Sequence, residues 1–281
     1  MSTLQELFLK GTLHLKGVPH PHLEAKVLLL KCTSLTEEQF LSSPERPISI
    51  KEERCFFKLI AKRLARFPVP YLTGKKEFWS IPFRVFPGVF IPRPETELLV
   101  EKALNHLAGK EEILVDIGTG CGNIAISLAK ELPQARIIAT DFSRKAIRVA
   151  TVNASELKIE NIIFVCGRLF SPLKKLDLRE KCDLIVSNPP YVSEKEWEGL
   201  DQEIRDHEPK KALVAGQTGL EFIKKLIRGA PSFLKTNGHL LLEIGEGQLR
   251  EILALFDARW NEVTSFNDLR GIPRVVLAKR K

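Results

Sequence analysis

No stretch of the chain approaches the roughly 18–20 consecutive apolar residues that span a bilayer. The first sixteen residues alternate polar and apolar side chains and lack an apolar h-region, so neither a membrane anchor nor a secretory leader is expected. There is no internal repeat and no low-complexity tract. The five cysteines (Cys32, Cys55, Cys121, Cys166, Cys182) are odd in number and contain no C-x-x-C pair. No zinc site or disulfide framework can be read from them. Reduced, mostly buried thiols in a cytoplasmic protein are the expectation, with no metal centre. None of the six histidines falls in a motif. What is present is globular in composition, 44% hydrophobic and 28% charged, and 281 residues suffice for one large or two modest domains.

Charge is unevenly spread. Residues 1–90 hold 14 Lys and Arg against 8 Asp and Glu, whereas residues 91–281 hold 29 against 27. The first third is therefore the basic part and suits an anionic partner, although a solvated helical surface explains it equally well. Basic residues interleaved with aromatics are sparse, which argues against a single-strand nucleic-acid platform.

Residues 1–68 read as a small helical bundle. Leu4, Leu7, Phe8 and Leu15 recur at helical spacing, as do Leu23, Val27, Leu28 and Leu30. Cys55, Phe56, Leu59, Ile60, Arg63, Leu64 and Phe67 fall on one stripe. Residues 69–93 are proline-rich and read as a linker with a β-hairpin. From residue 94 strands and helices alternate: strands at 113–116, 136–141, 162–165, 183–187 and 239–244, and helices at 123–130, 143–156, 219–233 and 248–256. Two final strands, 261–266 and 274–278, have no helix between them. The pattern predicts an α/β fold: a mostly parallel sheet with helices on both faces and an antiparallel pair at one edge.

Asp116-Ile117-Gly118-Thr119-Gly120-Cys121-Gly122 lies where the first of these strands turns into a helix. Glycines permit the sharp turn and close backbone approach to a ligand, and the helix start offers free N–H groups. The spacing departs from the dinucleotide fingerprint and resembles the cofactor loop of class I S-adenosylmethionine-dependent methyltransferases. Asp141 ends the next strand, where a carboxylate can accept from both ribose hydroxyls of an adenosine. A helix N-cap is the plain alternative for it.

Asn188-Pro189-Pro190-Tyr191 follows the fourth strand, at the same sheet edge. Two prolines fix φ and remove two donors, leaving a turn rich in acceptors. Tyr191 adds a flat face. Such a turn can grip both hydrogens of a planar NH2 group and leave the nitrogen lone pair free to attack. Holding that nitrogen about 3–3.5 Å from a methyl donor, with acceptors stabilising the positive charge that grows on it, requires no strong general base.

A planar nitrogen of this kind occurs in adenine and in glutamine. The segment Phe90-Ile91-Pro92-Arg93-Pro94-Glu95-Thr96-Glu97-Leu98-Leu99 resembles the signature of the HemK/PrmC family, the glutamine methyltransferases of peptide chain release factors. Tyr71-Leu72-Thr73-Gly74, Glu208-Pro209, Leu242-Glu243-Ile244-Gly245 with Gln248, and Asp268-Leu269-Arg270-Gly271 agree with it. The resemblance runs from about residue 65 to the end of the chain. It implies a class I methyltransferase-like seven-stranded sheet over residues 94–281, S-adenosylmethionine as cofactor, and methyl transfer to glutamine N5 in a release factor's Gly-Gly-Gln loop. It also implies roles. Asn188 and the Pro189 carbonyl would hold the amide, with Pro190 shaping the turn and Tyr191 packing on the amide plane. Asp116, Gly118, Thr119, Gly120, Cys121, Gly122, Asp141, Leu169 and Asn188 would surround the cofactor. Arg93 and Glu95 would border the substrate. Residues 1–68 would bind the release factor, in preference to RNA, with an association that slows at high salt. One departure stands out: Arg168 occupies a position where the family usually has an acidic residue beside the adenine ring.

Three other readings remain open at this point. A nucleic-acid adenine N6 methyltransferase would need base flipping. A ribosomal-protein glutamine methyltransferase would carry a different sequence after Ile91-Pro92-Arg93. A cofactor-binding scaffold would have no need of an intact Asn188.

Overall fold

The computed structural model describes residues 2–107 and 112–281. Two compact units emerge, each with its own core. The first runs to Lys75 and also contains Asp201–His207; the second comprises Lys76–Leu200 and Glu208–Lys281.

The first unit holds helices α1 (Leu4–His14), α2 (Pro21–Thr33), α3 (Glu37–Ser42), α4 (Ile50–Leu64) and α5 (Val69–Thr73), with the short helix Gln202–His207. Capping boxes start three of them: Thr3 with Glu6, Thr36 with Gln39, and Ser49 with Glu52. In each, side chain and backbone satisfy one another's end groups, which explains why the helices begin at these residues. Leu4, Leu7, Leu28, Leu29, Phe56 and Ile60 close the core. The α4 stripe is narrower than its spacing suggests, because Leu64 in the last turn is exposed. Arg63, on the same stripe, is buried. Its Nε and Nη2 donate to the two Glu24 oxygens at 2.6 and 3.1 Å, and its Nη1 donates to Glu203 at 2.5 Å.

The expectation of five reduced thiols is corrected here. Cys32 on α2 and Cys55 on α4 form a disulfide with a Cα–Cα distance of 5.8 Å, within the usual range. The pairing joins cysteines 23 residues apart in sequence on two different helices. Local spacing could not reveal it, and cysteine count carries no argument about compartment. Cys121 and Cys182 are buried thiols; Cys166 is exposed.

A hairpin, β1 (Lys75–Phe78, its first residue the last of the first unit) and β2 (Ile81–Arg84), leads into the second unit, followed by a 3-10 turn Pro94–Thr96 and α6 (Glu97–Leu104). Then come β3 (Ile113–Ile117), α7 (Asn123–Glu131), β4 (Arg136–Asp141), α8 (Arg144–Glu156), β5 (Ile162–Cys166) and β6 (Cys182–Ser187). A small parallel pair, β7 (Val192–Ser193) and β8 (Val214–Gly216), precedes β9 (Leu234–Glu243), β10 (Trp260–Asn267) and β11 (Pro273–Arg280). The seven-stranded sheet has the order β10-β11-β9-β6-β3-β4-β5. Strands β9, β6, β3, β4 and β5 are parallel, and β11 is antiparallel to both its neighbours. The expected seven-stranded, mostly parallel α/β architecture is therefore present, with its antiparallel edge. Val115, Ile138, Ile185, Leu226 and Leu240 are among the buried side chains between sheet and helices.

Boundaries shift where local chemistry intervenes. The helix expected over 219–233 is Glu221–Gly229 with a 3-10 turn Ala230–Ser232, since Pro231 cannot continue an α-helix. The β7/β8 pair has too few residues to produce a periodic signal. Among the described residues no helix is long and apolar enough to cross a membrane.

The strand order determines where a ligand can sit. From β3 the chain moves outward through β4 and β5, then returns to place β6 on the other side of β3. The reversal opens a crevice beyond the carboxyl ends of β3 and β6. The glycine loop leaves the end of β3 and the Asn188–Tyr191 turn leaves the end of β6.

Candidate active site

A cavity of about 470 Å³ fills this crevice, a size typical of ligand pockets. One wall is the glycine loop. The amides of Gly118 and Thr119 both donate to the Thr140 carbonyl, at 2.8 and 2.9 Å, tying the loop to the end of β4. Gly118 and Gly120 have φ of +84° and +58°, and a Cβ at either would meet nothing within 4 Å. There the backbone is bare toward open space. Gly122 differs: at φ +89° its Cβ would lie 2.9 Å from Ile126 Cδ1 and 3.1 Å from Ala150 Cβ, so it permits α7 to pack on α8. Gly118, Thr119 and Gly120 line the cavity together with Asn123 and Ile124, whereas Cys121 and Gly122 do not. Cys121 is a buried thiol, its pKa pushed up to about 12 by burial. Its carbonyl accepts from Asn153 Nδ2 at 2.8 Å, and Asn153 also bonds both backbone groups of Arg84, so one buried amide braces loop, α8 and hairpin.

Asp116 stands behind the loop, 1% exposed. Neither carboxylate oxygen completes a hydrogen bond. Burial raises its pKa to about 7, against partial relief from the nearby Thr119 hydroxyl and Ala125 amide. Asp141 lines the cavity. Its Oδ2 accepts from Gly120 N at 3.0 Å and its Oδ1 from Ser143 N at 2.8 Å. Ser143, not Asp141, caps α8. A carboxylate has about four lone-pair sites, so each oxygen keeps capacity for a further donor. Burial raises the Asp141 pKa in spite of the two amides.

Leu169 and the exposed Arg168 line the cavity after β5, with Leu169 at φ +46°. Asn188, Pro189, Pro190 and Tyr191 line the opposite side. Asn188 Nδ2 donates to Thr96 Oγ1 at 3.0 Å, and the Tyr191 hydroxyl donates to Glu243 at 3.3 Å. Burial, followed by the Glu243 charge, raises the Tyr191 pKa well above the ordinary phenol value.

Arg93 and Glu95 are not in the lining. The Arg93 guanidinium pairs with buried Glu208, donates to the Ile91 carbonyl at 3.0 Å and lies 4.7 Å from the centre of the Phe90 ring. Glu95 lies 3.9 Å from Arg270. Sequence reasoning missed the aromatic walls, Phe90 and Phe142, and the Thr96–Glu243 pair behind the Asn188 turn. Phe90, Thr96 and Glu243 appeared only as letters of a signature. Phe142 had a signal, its position next to Asp141 at a strand end.

This topology, with a glycine loop after one central strand and a proline-rich turn after its neighbour, defines a class I methyltransferase domain. Residues 108–267 match a methyltransferase-domain family, and residues 7–74 match the PrmC N-terminal domain. The structure of a methyltransferase from Pyrococcus furiosus superimposes with a TM-score of 0.53 at 16% identity, covering 78% of this chain and 98% of that one, a likeness of fold alone. The chain belongs to the release factor glutamine methyltransferase family. It is 38% identical to the release factor glutamine methyltransferase of Coxiella burnetii, over 92% of each chain. It is 37% identical to that of Koribacter versatilis, over 99% of each.

Proposed function

We propose that this protein transfers a methyl group from S-adenosylmethionine to the side-chain amide N5 of the glutamine in the Gly-Gly-Gln loop of peptide chain release factors. The observation that carries the reading is the Asn188-Pro189-Pro190-Tyr191 turn on one wall of a cavity whose other wall is the bare glycine backbone. The residues suit the cofactor. Gly118 and Gly120 leave room for it, Asp141 retains acceptor capacity for ribose hydroxyls, and Asp116 is a buried carboxylate short of partners. When bound, S-adenosylmethionine supplies an electrophilic methyl. Leu169 and Phe142 offer apolar surface to its adenine ring, and Asp116 would favour its amino group.

In this reading the Asn188 Oδ1 and the Pro189 carbonyl accept the two amide hydrogens of the substrate glutamine. They orient the nitrogen and stabilise the positive charge that develops on it. Tyr191, half-buried against the core, limits the tilt of the amide plane. The methylated amide nitrogen, cationic after transfer, loses its proton to solvent water, so no group here need act as a strong base. The helical unit, rich in Lys and Arg, would receive the release factor in the cytoplasm. The experiment is incubation with purified release factor and labelled S-adenosylmethionine, followed by peptide mapping. Label on the glutamine of the Gly-Gly-Gln loop supports the reading. Label on an added ribosomal protein or nucleic acid instead, or no transfer, contradicts it.

A further inference from the structure

Three segments meet behind the Asn188 turn. Thr96 closes the 3-10 turn before α6, Glu243 ends β9, and Gln248 lies just beyond. Thr96 and Glu243 are each 1% exposed. Thr96 Oγ1 accepts from Asn188 Nδ2 at 3.0 Å, and Glu243 Oε1 accepts from the Tyr191 hydroxyl at 3.3 Å. The Thr96 hydroxyl also stabilises the Glu243 charge. Glu243 Oε2 nevertheless has no hydrogen-bond partner. Gln248 Nε2 donates to the Tyr191 carbonyl at 2.8 Å while its Oε1 accepts from Gly245 N at 3.0 Å. The turn is thus held from behind at both ends.

The direction of these bonds has a chemical consequence. An asparagine amide has a donor end and an acceptor end, and only the acceptor end can receive a substrate N–H. Thr96 Oγ1 takes the NH2 end of Asn188, and a hydroxyl whose proton is drawn toward a carboxylate offers that neighbour only lone pairs. An ionised carboxylate has no proton to return. We propose that Thr96 and Glu243 are positioning residues that set the Asn188 amide with its oxygen toward the substrate. The inference rests on the reading of Asn188 as the acceptor for the glutamine amide. A purely structural role would not require a buried carboxylate with an incompletely satisfied oxygen, because leaving such a group short of partners is costly.

Protonation of Glu243 would undo the selection, since a carboxylic acid can donate to Thr96 and free that hydroxyl to turn. Burial raises the Glu243 pKa to about 7; Thr96, Tyr191 and Arg274 pull it down and Glu95 pushes it up. Turnover at saturating cofactor should therefore fall as pH drops below about 7.

The test uses the full chain, purified release factor and saturating S-adenosylmethionine. Thr96→Val should lower kcat about 10–100-fold, as loss of a transition-state contact does, with cofactor Kd by calorimetry unchanged within about twofold. Thr96→Ser, which keeps the hydroxyl, should restore most of the rate. Glu243→Gln should lower kcat and remove the acid limb of its pH profile. Wild-type kcat in Thr96→Val, a serine variant as impaired as the valine one, or an acid limb persisting in Glu243→Gln would each overturn the proposal. If the valine variant fails to bind cofactor, the serine rate and the Glu243→Gln profile decide. An inactive wild type would defeat the underlying functional reading, whereas an active wild type with indifferent variants defeats this inference alone.

Discussion

In the helical unit the buried Arg63 has a carboxylate on either side: Glu24 holds it through two hydrogen bonds and Glu203 through a third. In the sheet unit Asp116 and Glu243 are buried just as deeply, yet each has at least one oxygen without a complete partner. Both arrangements place charge where water is scarce. The first neutralises it and so contributes to structure. The second leaves carboxylates with raised pKa values behind the walls of a cavity, the pattern of groups reserved for a ligand or for orienting another side chain. The lesson is that burial alone does not mark a functional charge; burial with incomplete satisfaction does.

Removing Arg63 should have the largest effect on stability. Arg63→Ala leaves Glu24 and Glu203 without their cation. The expected loss is about 3 kcal/mol, the low end for a broken buried pair, because the Glu203 side chain keeps 33% exposure. Chemical denaturation of the full chain measures it, and the cofactor Kd at low denaturant should not move. A Kd that weakened in parallel would merge the two classes of buried charge.

The pH dependence sharpens the other side. Asp116 and Glu243, both raised to about 7 by burial, keep protons in the folded state that the unfolded chain loses near pH 4. Their contribution to stability therefore falls as pH rises from about 4 to about 7 and is flat above. Cofactor affinity runs the opposite way. If the ionised Asp116 favours the cofactor's amino group, Kd should weaken up to about tenfold per pH unit below 7. Asp116→Asn should flatten that slope, and calorimetry across pH 5.5–8.5 reads it.

Much of this was legible in the chain. The glycine spacing, the carboxylate at residue 141 and the proline pair after residue 188 each announce themselves locally, and alternation of strands and helices implies the parallel sheet. Three things were not legible. The Cys32–Cys55 bridge depends on how α2 and α4 pack, which spacing does not encode. The duties of the three glycines separate only once Gly122 is seen against Ile126 and Ala150. Arg93, conspicuous in its motif, pairs with Glu208, a residue 115 positions away.

The smallest expected effect concerns Arg168, which lines the cavity next to Leu169 after β5. Arg168→Asp would offer an acceptor to the adenine amino group of the proposed cofactor. It should tighten cofactor binding about three- to tenfold, the value of roughly one hydrogen bond, with kcat unchanged. Calorimetry showing no gain would remove that role.

In the proposed reaction Asn188 presents an amide oxygen to the substrate nitrogen and takes little part in cofactor binding. Asn188→Ala, measured by single-turnover methylation of release factor alongside cofactor titration, tests it most directly. The expected rate is about 10²–10³-fold lower, the scale for losing one positioned partner of a developing charge, with cofactor Kd within about threefold of wild type. A variant that methylates at the wild-type rate, or one whose deficit lies wholly in cofactor affinity, contradicts it.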